Sequence, residues 1–222
     1  KLAHEIKNPL TPIQLTIDRL KNKYSLELNE KNSENFKENL KIINNQIKQI
    51  EKLVNEFSDF ARMPKPVLRN NNLVPLLNEN INLLRELDKN ININLIYNSD
   101  KIFLESDNEQ LSRVFLNLIK NSIESIHQKL EKEPNFDKKI MIEISYNNDH
   151  IKIIQLDNGI GFGVLKNNIK EILNPYFTTK RNGTGLGLSI VNKIINDHNG
   201  TIEFIPIQNG AKIEIIFNLN GN

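Results

Sequence analysis

With 222 residues, 29 Lys and Arg against 27 Asp and Glu, and a formal charge of +2, the chain has no sustained basic block, which argues against nucleic acid as its main partner. It contains no cysteine, which excludes disulfides and thiolate metal sites and is compatible with the cytoplasm. No apolar run approaches the roughly 20 residues needed to span a bilayer, and no N-terminal leader pattern is visible. Lys1 already stands inside a helical pattern, so a longer protein is expected, with any membrane anchor in the part that precedes Lys1.

The first apolar series is Leu2, Ile6, Leu10, Ile13, Ile17, Leu20 and Tyr24, spaced four and three apart, which predicts a helix with one apolar seam. Residues 29–35 are polar and read as a turn. A second series, Phe36, Leu40, Ile43, Ile47, Ile50, Val54, Phe57 and Ala61, alternates gaps of four and three in the manner of a coiled coil. Met63-Pro64-Lys65-Pro66 ends it, because proline lacks an amide hydrogen and pushes the preceding residue out of the α region. Two antiparallel helices with such narrow stripes bury too little alone. A homodimer through residues 1–63, closing a four-helix bundle, is the economical solution.

Past Pro66 the periodicity changes, and the linker is placed near residues 62–72. Helices are predicted over 73–87, 108–130 and 186–197. Strands are predicted over 91–97, 101–105, 140–146, 151–156, 201–206 and 211–219, the last two around an Asn209-Gly210 turn. Residues 131–139 read as an exposed loop and 162–184 as a long irregular segment with one short helix. This mixture predicts an α+β fold, a sheet covered by helices on one face, preceded by the helical hairpin.

Three clusters in this half carry chemistry. Asn117 and Asn121 stand one turn apart on one helix, so their amides share a face. Neutral amide oxygens suit Mg²⁺ already bound to phosphates, although two asparagines in an Asn-rich chain are, by themselves, more simply read as solvated. Asp157 ends an apolar strand and leads into Asn158-Gly159-Ile160-Gly161, where a carboxylate can accept a bond from an exocyclic amine and glycines admit a flat base. An ordinary Asp-Asn-Gly turn would look the same. Gly183-Thr-Gly185-Leu-Gly187-Leu188 follows a polar loop instead of a strand and lacks the Gly-Lys-Ser/Thr of a P-loop. It opens a helix whose free amides favour phosphate, with Lys180 and Arg181 adding positive charge, or it is simply a flexible loop and N-cap.

Order and spacing of these clusters resemble the N, G1, F and G2 boxes of the Bergerat ATP-binding fold of the GHKL superfamily, here Asn117–Asn121, Asp157–Gly161, Pro175-Tyr-Phe177 and Gly183–Leu188. With the segment His4-Glu5-Ile6-Lys7-Asn8-Pro9-Leu10, nearly the whole chain resembles the catalytic core of a sensor histidine kinase. Asn8–Pro12 and Phe60–Pro66 are similar to the nitrogen-regulation, NtrY-like branch. The resemblance implies a dimerisation and phosphotransfer hairpin over 1–66 and a Bergerat-type α/β-sandwich over 67–222. It implies ATP held by Asn117, Lys120, Asn121, Asp157, Gly159, Gly161, Phe177, Lys180, Gly183, Thr184, Gly185, Leu186, Gly187 and Leu188, with Mg²⁺ on Asn121 and Asn117 through the phosphates. It also implies a response regulator receiver domain as partner, and a cytoplasmic catalytic portion in an inner-membrane protein. Hydrolytic members of the superfamily carry Glu where this chain has Asn117, and an amide cannot act as general base on water. That difference favours phosphotransfer over ATPase activity.

On a helix His4 lies roughly 200° around from Ile6, so it points away from the apolar seam, where a core histidine would not be. A neutral imidazole, with an unperturbed pKa of about 6.5, offers one nitrogen lone pair at physiological pH. The resemblance implies that His4 accepts the phosphoryl group, that Glu5 acts as base and orienter, and that Asn8 positions the water that dephosphorylates the regulator. Pro9 is expected to kink the helix. His127, His150 and His198 read as structural or exposed. Two other readings stand beside this one: a non-catalytic dimeric docking and phosphatase module, which intact boxes argue against, and a GHKL ATPase, which Asn117 argues against.

Overall fold

A computed structural model describes residues 2–24, 30–86, 88–162, 169–180 and 183–219, with no side chain given for residues 2–8, 30 and 31. The chain forms two compact units, Lys1–Met63 with Thr178–Leu186, and Pro64–Phe177 with Gly187–Asn222.

In the first unit, helix α1 spans Leu2–Tyr24 and continues through Pro9 and Pro12. Helix α2 spans Glu30–Ala61 and stops three residues before Pro64. It begins earlier than the polar run suggested: Glu30, Lys31 and Glu34 are good helix formers, so most of the expected turn over 29–35 is helical. Tyr24 meets Phe36 edge to face at 6.5 Å, and the Gln14 amide donates to Asn44 Oδ1 at 3.2 Å, so the helices run antiparallel. Leu10, Ile17, Leu40 and Ile47 form their shared core, with Phe36 packed against it. The alternate seam positions behave differently. Ile13, Ile43 and Ile50 remain 45–46% exposed, and Leu20 is exposed as well.

In the second unit, β1 (Arg69–Asn72) pairs antiparallel with β3 (Phe103–Ser106) as a separate ribbon. Part of the expected linker is therefore a strand. Its sequence, Arg-Asn-Asn-Asn, has no β-forming residue; the ladder to β3 and the Asn71 amide on Ser106 O, 2.6 Å, hold it there. The main sheet has the order β2-β4-β5-β7-β6, with β2 (Asn92–Tyr97) parallel to β4 (Lys139–Tyr146) and all other pairs antiparallel. Strands β5 (His150–Asp157), β6 (Gly200–Pro206) and β7 (Ala211–Asn218) complete it.

Helices α3 (Leu73–Arg85), α4 (Asn108–Leu130) and α5 (Gly187–Asp197) pack on this sheet. Ile140, Ile142 and Ile144 of β4, Ile151 and Ile153 of β5, and Ile213, Ile215 and Phe217 of β7 are buried, while the residues between them are half-exposed. That period of two means the helices cover one face only. The architecture is thus a helical N-terminal part followed by an α/β layer with a mixed sheet. Among the described residues of the irregular segment, Ile169–Leu173 forms a 3₁₀ turn. Among the described residues no helix is long and apolar enough to cross a membrane.

Candidate nucleotide site

Helix α4 is the platform of the site, and its start is firmly held. Asp107 caps it, its Oδ1 accepting the Glu109 and Gln110 amides at 3.1 and 3.2 Å. Oδ2 accepts the Val67 amide at 2.9 Å, and the Asp107 amide donates to Nε2 of buried His198 at 3.0 Å. His198 Nδ1 in turn meets Ile194 O at 2.8 Å, so its neutral ring ties the end of α5 to the start of α4. Burial raises the Asp107 pKa, but the amides of Val67, Gln110 and Glu109 outweigh it and hold the carboxyl below the ordinary aspartate range.

Asp157, the last residue of β5, is 6% exposed. Its Oδ2 accepts the Ser122 hydroxyl of α4 at 2.6 Å, and its Oδ1 accepts the Gly159 amide at 3.0 Å. Burial pushes its pKa up; the bonds from Ser122, Gly159 and the Ala211 backbone oppose this without cancelling it. Behind Ser122, Gln155 donates through Nε2 to Ser122 Oγ at 2.9 Å. The result is a buried carboxylate fixed in direction by donors, an arrangement suited to accepting one further hydrogen bond from an amine.

The two glycines of the turn answer to the protein's own backbone. A Cβ on Gly159 would stand 2.7 Å from Ser125 C and 2.8 Å from Ile126 N, so the turn presses against α4, and the Ile160 amide bonds to Ser125 O there. Gly161 has φ +67° and lies against Gly210 of the β6–β7 loop. Close packing explains both glycines without reference to a base. Asn158 fastens the turn from outside: its Oδ1 accepts the Lys139 amide, its Nδ2 donates to Asp137 O, and its carbonyl accepts Lys129 Nζ at 3.2 Å.

Asn117 donates its amide nitrogen to Arg113 O at 2.8 Å, which turns Oδ1 toward the start of α5, where a Cβ on Gly187 would sit 3.2 Å away. The first box and the helix opened by the last one therefore meet in this unit. Asn121 is half-buried on the same helix, and Lys120 is exposed. Phe177 is half-buried, its amide bonded to Asn174 O, after Tyr176 in a left-handed conformation (φ 69°). Leu188 is half-buried in the first turn of α5.

Thr178–Leu186 belongs to the first unit and is described by itself. Thr178 Oγ1 accepts the Lys180 amide, Gly183 N donates to Lys180 O, and Gly185 takes φ 71°. Thr184 hydrogen-bonds Glu56 of α2 through its hydroxyl, and Leu186 is fully buried. Arg181 and the side chains of His4, Glu5 and Asn8 lie outside the described residues.

Among the described residues no group of three His, Asp or Glu could hold a metal ion alone. A divalent cation would need ligand phosphates beside amide oxygens, and Asn117 and Asn121 are hard oxygen donors of that kind. The donor set fits Mg²⁺ delivered with a nucleotide.

Ser122, Gln155 and His198 support the site through contacts that join distant parts of the chain. Gln155 left one legible mark: it occupies a core-facing position of β5, in phase with Ile151 and Ile153, where the alternation calls for an apolar residue.

Comparison with known proteins agrees with this geometry. Residues 106–221 match the model of the histidine kinase-, DNA gyrase B- and HSP90-like ATPase family, and residues 1–66 match the His kinase A phosphoacceptor domain. A sensor histidine kinase described as NtrY-like in Rickettsia bellii is 36% identical over 99% of this chain and 34% of its own length. The nitrogen regulation protein NtrY of Azorhizobium caulinodans is 33% identical over the whole chain and 28% of its length. The chain thus spans about a third of the length of these relatives. Among solved structures, histidine kinase ThkA in complex with response regulator protein TrrA superposes with a TM-score of 0.66 at 28% identity, covering 98% of this chain and 59% of that one.

Proposed function

Since the chain belongs to the histidine kinase-, DNA gyrase B- and HSP90-like ATPase family and carries a His kinase A phosphoacceptor domain, we propose that it is the core of a two-component sensor kinase. It moves the γ-phosphoryl group of ATP to His4 and then to an aspartate of a response regulator. Residues 1–66 act as the dimerisation and phosphotransfer hairpin and residues 67–222 as the catalytic part. The observation that supports this best is Asn117. It stands on α4 beside the start of α5, with an amide where hydrolytic members of the superfamily carry a base, so this position offers a bound nucleotide no group to activate water.

Each side chain has a defined task in this reading. Asp157 accepts the exocyclic amine of the base, with Gly159 and Gly161 shaping the turn beside it. Asn117, Lys120 and Asn121 face the phosphates, and Lys180 with Gly183–Leu188 supplies amides and positive charge to them. Phe177 anchors the segment before that turn. Asn121 and Asn117 would hold Mg²⁺ together with the nucleotide's phosphates, and the ion would supply charge neutralisation there. The imidazole nitrogen of His4 forms the N–P bond as the bond to the β-phosphate oxygen breaks, ADP departs, and the ring proton is held by Glu5. Asn8 orients the water that later removes the phosphoryl group from the regulator.

The exposed seam supports the homodimer: Ile13, Leu20, Ile43 and Ile50 repeat every seven residues and are only about half covered within one hairpin. The complex of ThkA with its regulator, on a related fold, supports a receiver domain as partner. The catalytic core works in the cytoplasm, with any membrane anchor in a region N-terminal to this chain, which spans 34% of the length of the Rickettsia bellii relative. The test is labelling by Mg-ATP of the wild type, His4→Ala and Asn121→Ala, with released phosphate measured alongside. Label is expected on the wild type alone. Label on His4→Ala, or free phosphate as the sole product, would overturn the proposal.

A further inference from the structure

The carboxylate that faces the base does not stand alone. Asp157 and Gln155 are two residues apart on β5 and so share its covered face, and Ser122 comes to them from α4. All three are at most 6% exposed. A hydroxyl has one proton to give. Gln155 Nε2 donates to Ser122 Oγ, so that oxygen is already an acceptor, and its single proton points at Asp157 Oδ2, 2.6 Å away. Gly159 donates to Oδ1 of the same carboxylate at 3.0 Å, and the Ala211 backbone also favours its ionised form. With Ser122 on one oxygen and Gly159 on the other, a carboxylate with roughly four lone-pair directions keeps acceptor capacity for a ligand.

We propose that Ser122 and Gln155 set the base specificity of the site: the one-way chain Gln155 to Ser122 to Asp157 holds Asp157 as a pure acceptor, so the site takes purines with a 6-amino group and rejects those with a 6-oxo group. This rests on the reading of Asp157 as the base acceptor. A 6-oxo purine presents an acceptor where Asp157 also presents one, leaving a buried lone pair facing another. Without the Ser122 proton, the buried carboxyl more readily takes up a proton itself, becomes a donor, and admits the 6-oxo base. Without Gln155, Ser122 keeps its bond to Asp157 but loses the partner that forbids the reverse orientation. Ser122 and Gln155 are positioning residues; neither touches the nucleotide.

The experiment compares the affinities of the full chain for ATP and for ITP, which differ at the 6-position, in the wild type, Ser122→Ala, Ser122→Thr, Gln155→Leu and Asp157→Asn. The wild type should favour ATP by at least about tenfold, the worth of one misplaced buried hydrogen bond. Ser122→Ala should collapse most of that ratio, Gln155→Leu should reduce it by less, and Ser122→Thr, which keeps the hydroxyl, should restore it. Equal weakening of both nucleotides by Ser122→Ala, with the ratio unchanged, would show a merely structural role and overturn the inference while leaving the base reading intact. A wild type that binds ATP and ITP alike, or an ATP preference that survives Asp157→Asn, would instead overturn the reading of Asp157.

Discussion

The hairpin and the α/β unit use their apolar residues to different ends. In the α/β unit the side chains that alternate toward the helices disappear completely: Leu77, Ile119, Ile126, Ile140 and Phe217 are at most 1% exposed. In the hairpin only one of the two interleaved heptad series is hidden. Leu10, Ile17, Leu40, Ile47 and Val54 are buried, whereas Ile13, Leu20, Ile43 and Ile50 stay 37–46% exposed. The contrast follows from geometry. A sheet with helices on one face closes its core within one chain, while two helices can cover only half of each other's stripe. One unit closes its core within a single chain; the other leaves a half-exposed seam for the proposed second copy.

That contrast can be broken by substitution. Replacing Ile43 and Ile50 together by Asp should abolish the dimer while leaving the melting of the α/β unit unchanged. A side chain is worth about 1.5–3 kcal/mol on full burial, and these are already half covered, so four of them across a dimer contribute roughly 3–6 kcal/mol. The dimer constant should weaken by about 10²–10⁴-fold in sedimentation. A wild type that is already monomeric would refute the reading of the seam. The converse substitution, Ile142→Ala on the covered face of β4, should destabilise the α/β unit by about 2–5 kcal/mol in thermal or urea unfolding and leave the dimer intact. Loss of the dimer in that variant would show that the two units do not fold separately.

A smaller effect comes from pH, where two carboxylates of the α/β unit act with opposite sign. Asp107 is held below its ordinary range, so its contribution to stability is present above the ordinary pKa and is lost as pH falls through the depressed one. Asp157 is pushed above its ordinary range, so folding is favoured below the ordinary pKa, and that advantage is lost as pH rises through the raised one. In the proposed reading, ATP is bound by the ionised form of Asp157, the better acceptor for an amine. Its affinity should therefore fall with uptake of one proton at a pH above the ordinary aspartate range, and Asp157→Asn should remove that step. An affinity that stays flat down to the ordinary range would contradict it.

Local patterns made much of this legible from sequence. The bounds of α4 follow from Asp107 as cap and an unbroken apolar period to Leu130, and the β4–β5 hairpin follows from two alternating runs around Asn147–Asp149. Features that depend on distant partners were hidden. Strand β1 exists because β3 accepts it, and His198 reaches Asp107 across 91 positions of sequence. The Gln155–Ser122–Asp157 chain spans two elements more than thirty residues apart. Gly159 and Gly161 stand out in the sequence as glycines beside a base, but the crowding seen at them comes from Ser125 and Gly210.

The central claim, that this chain passes a phosphoryl group to its own histidine instead of to water, is met most directly by peptide mapping. The wild-type chain is incubated with Mg-ATP, quenched in alkali, where a phosphoramidate survives, and digested for mass spectrometry. The account predicts one phosphoryl group on the peptide containing His4 and none on peptides with His127, His150 or His198. A phosphoryl group on any of those three, or unmodified protein beside stoichiometric free phosphate, would contradict it.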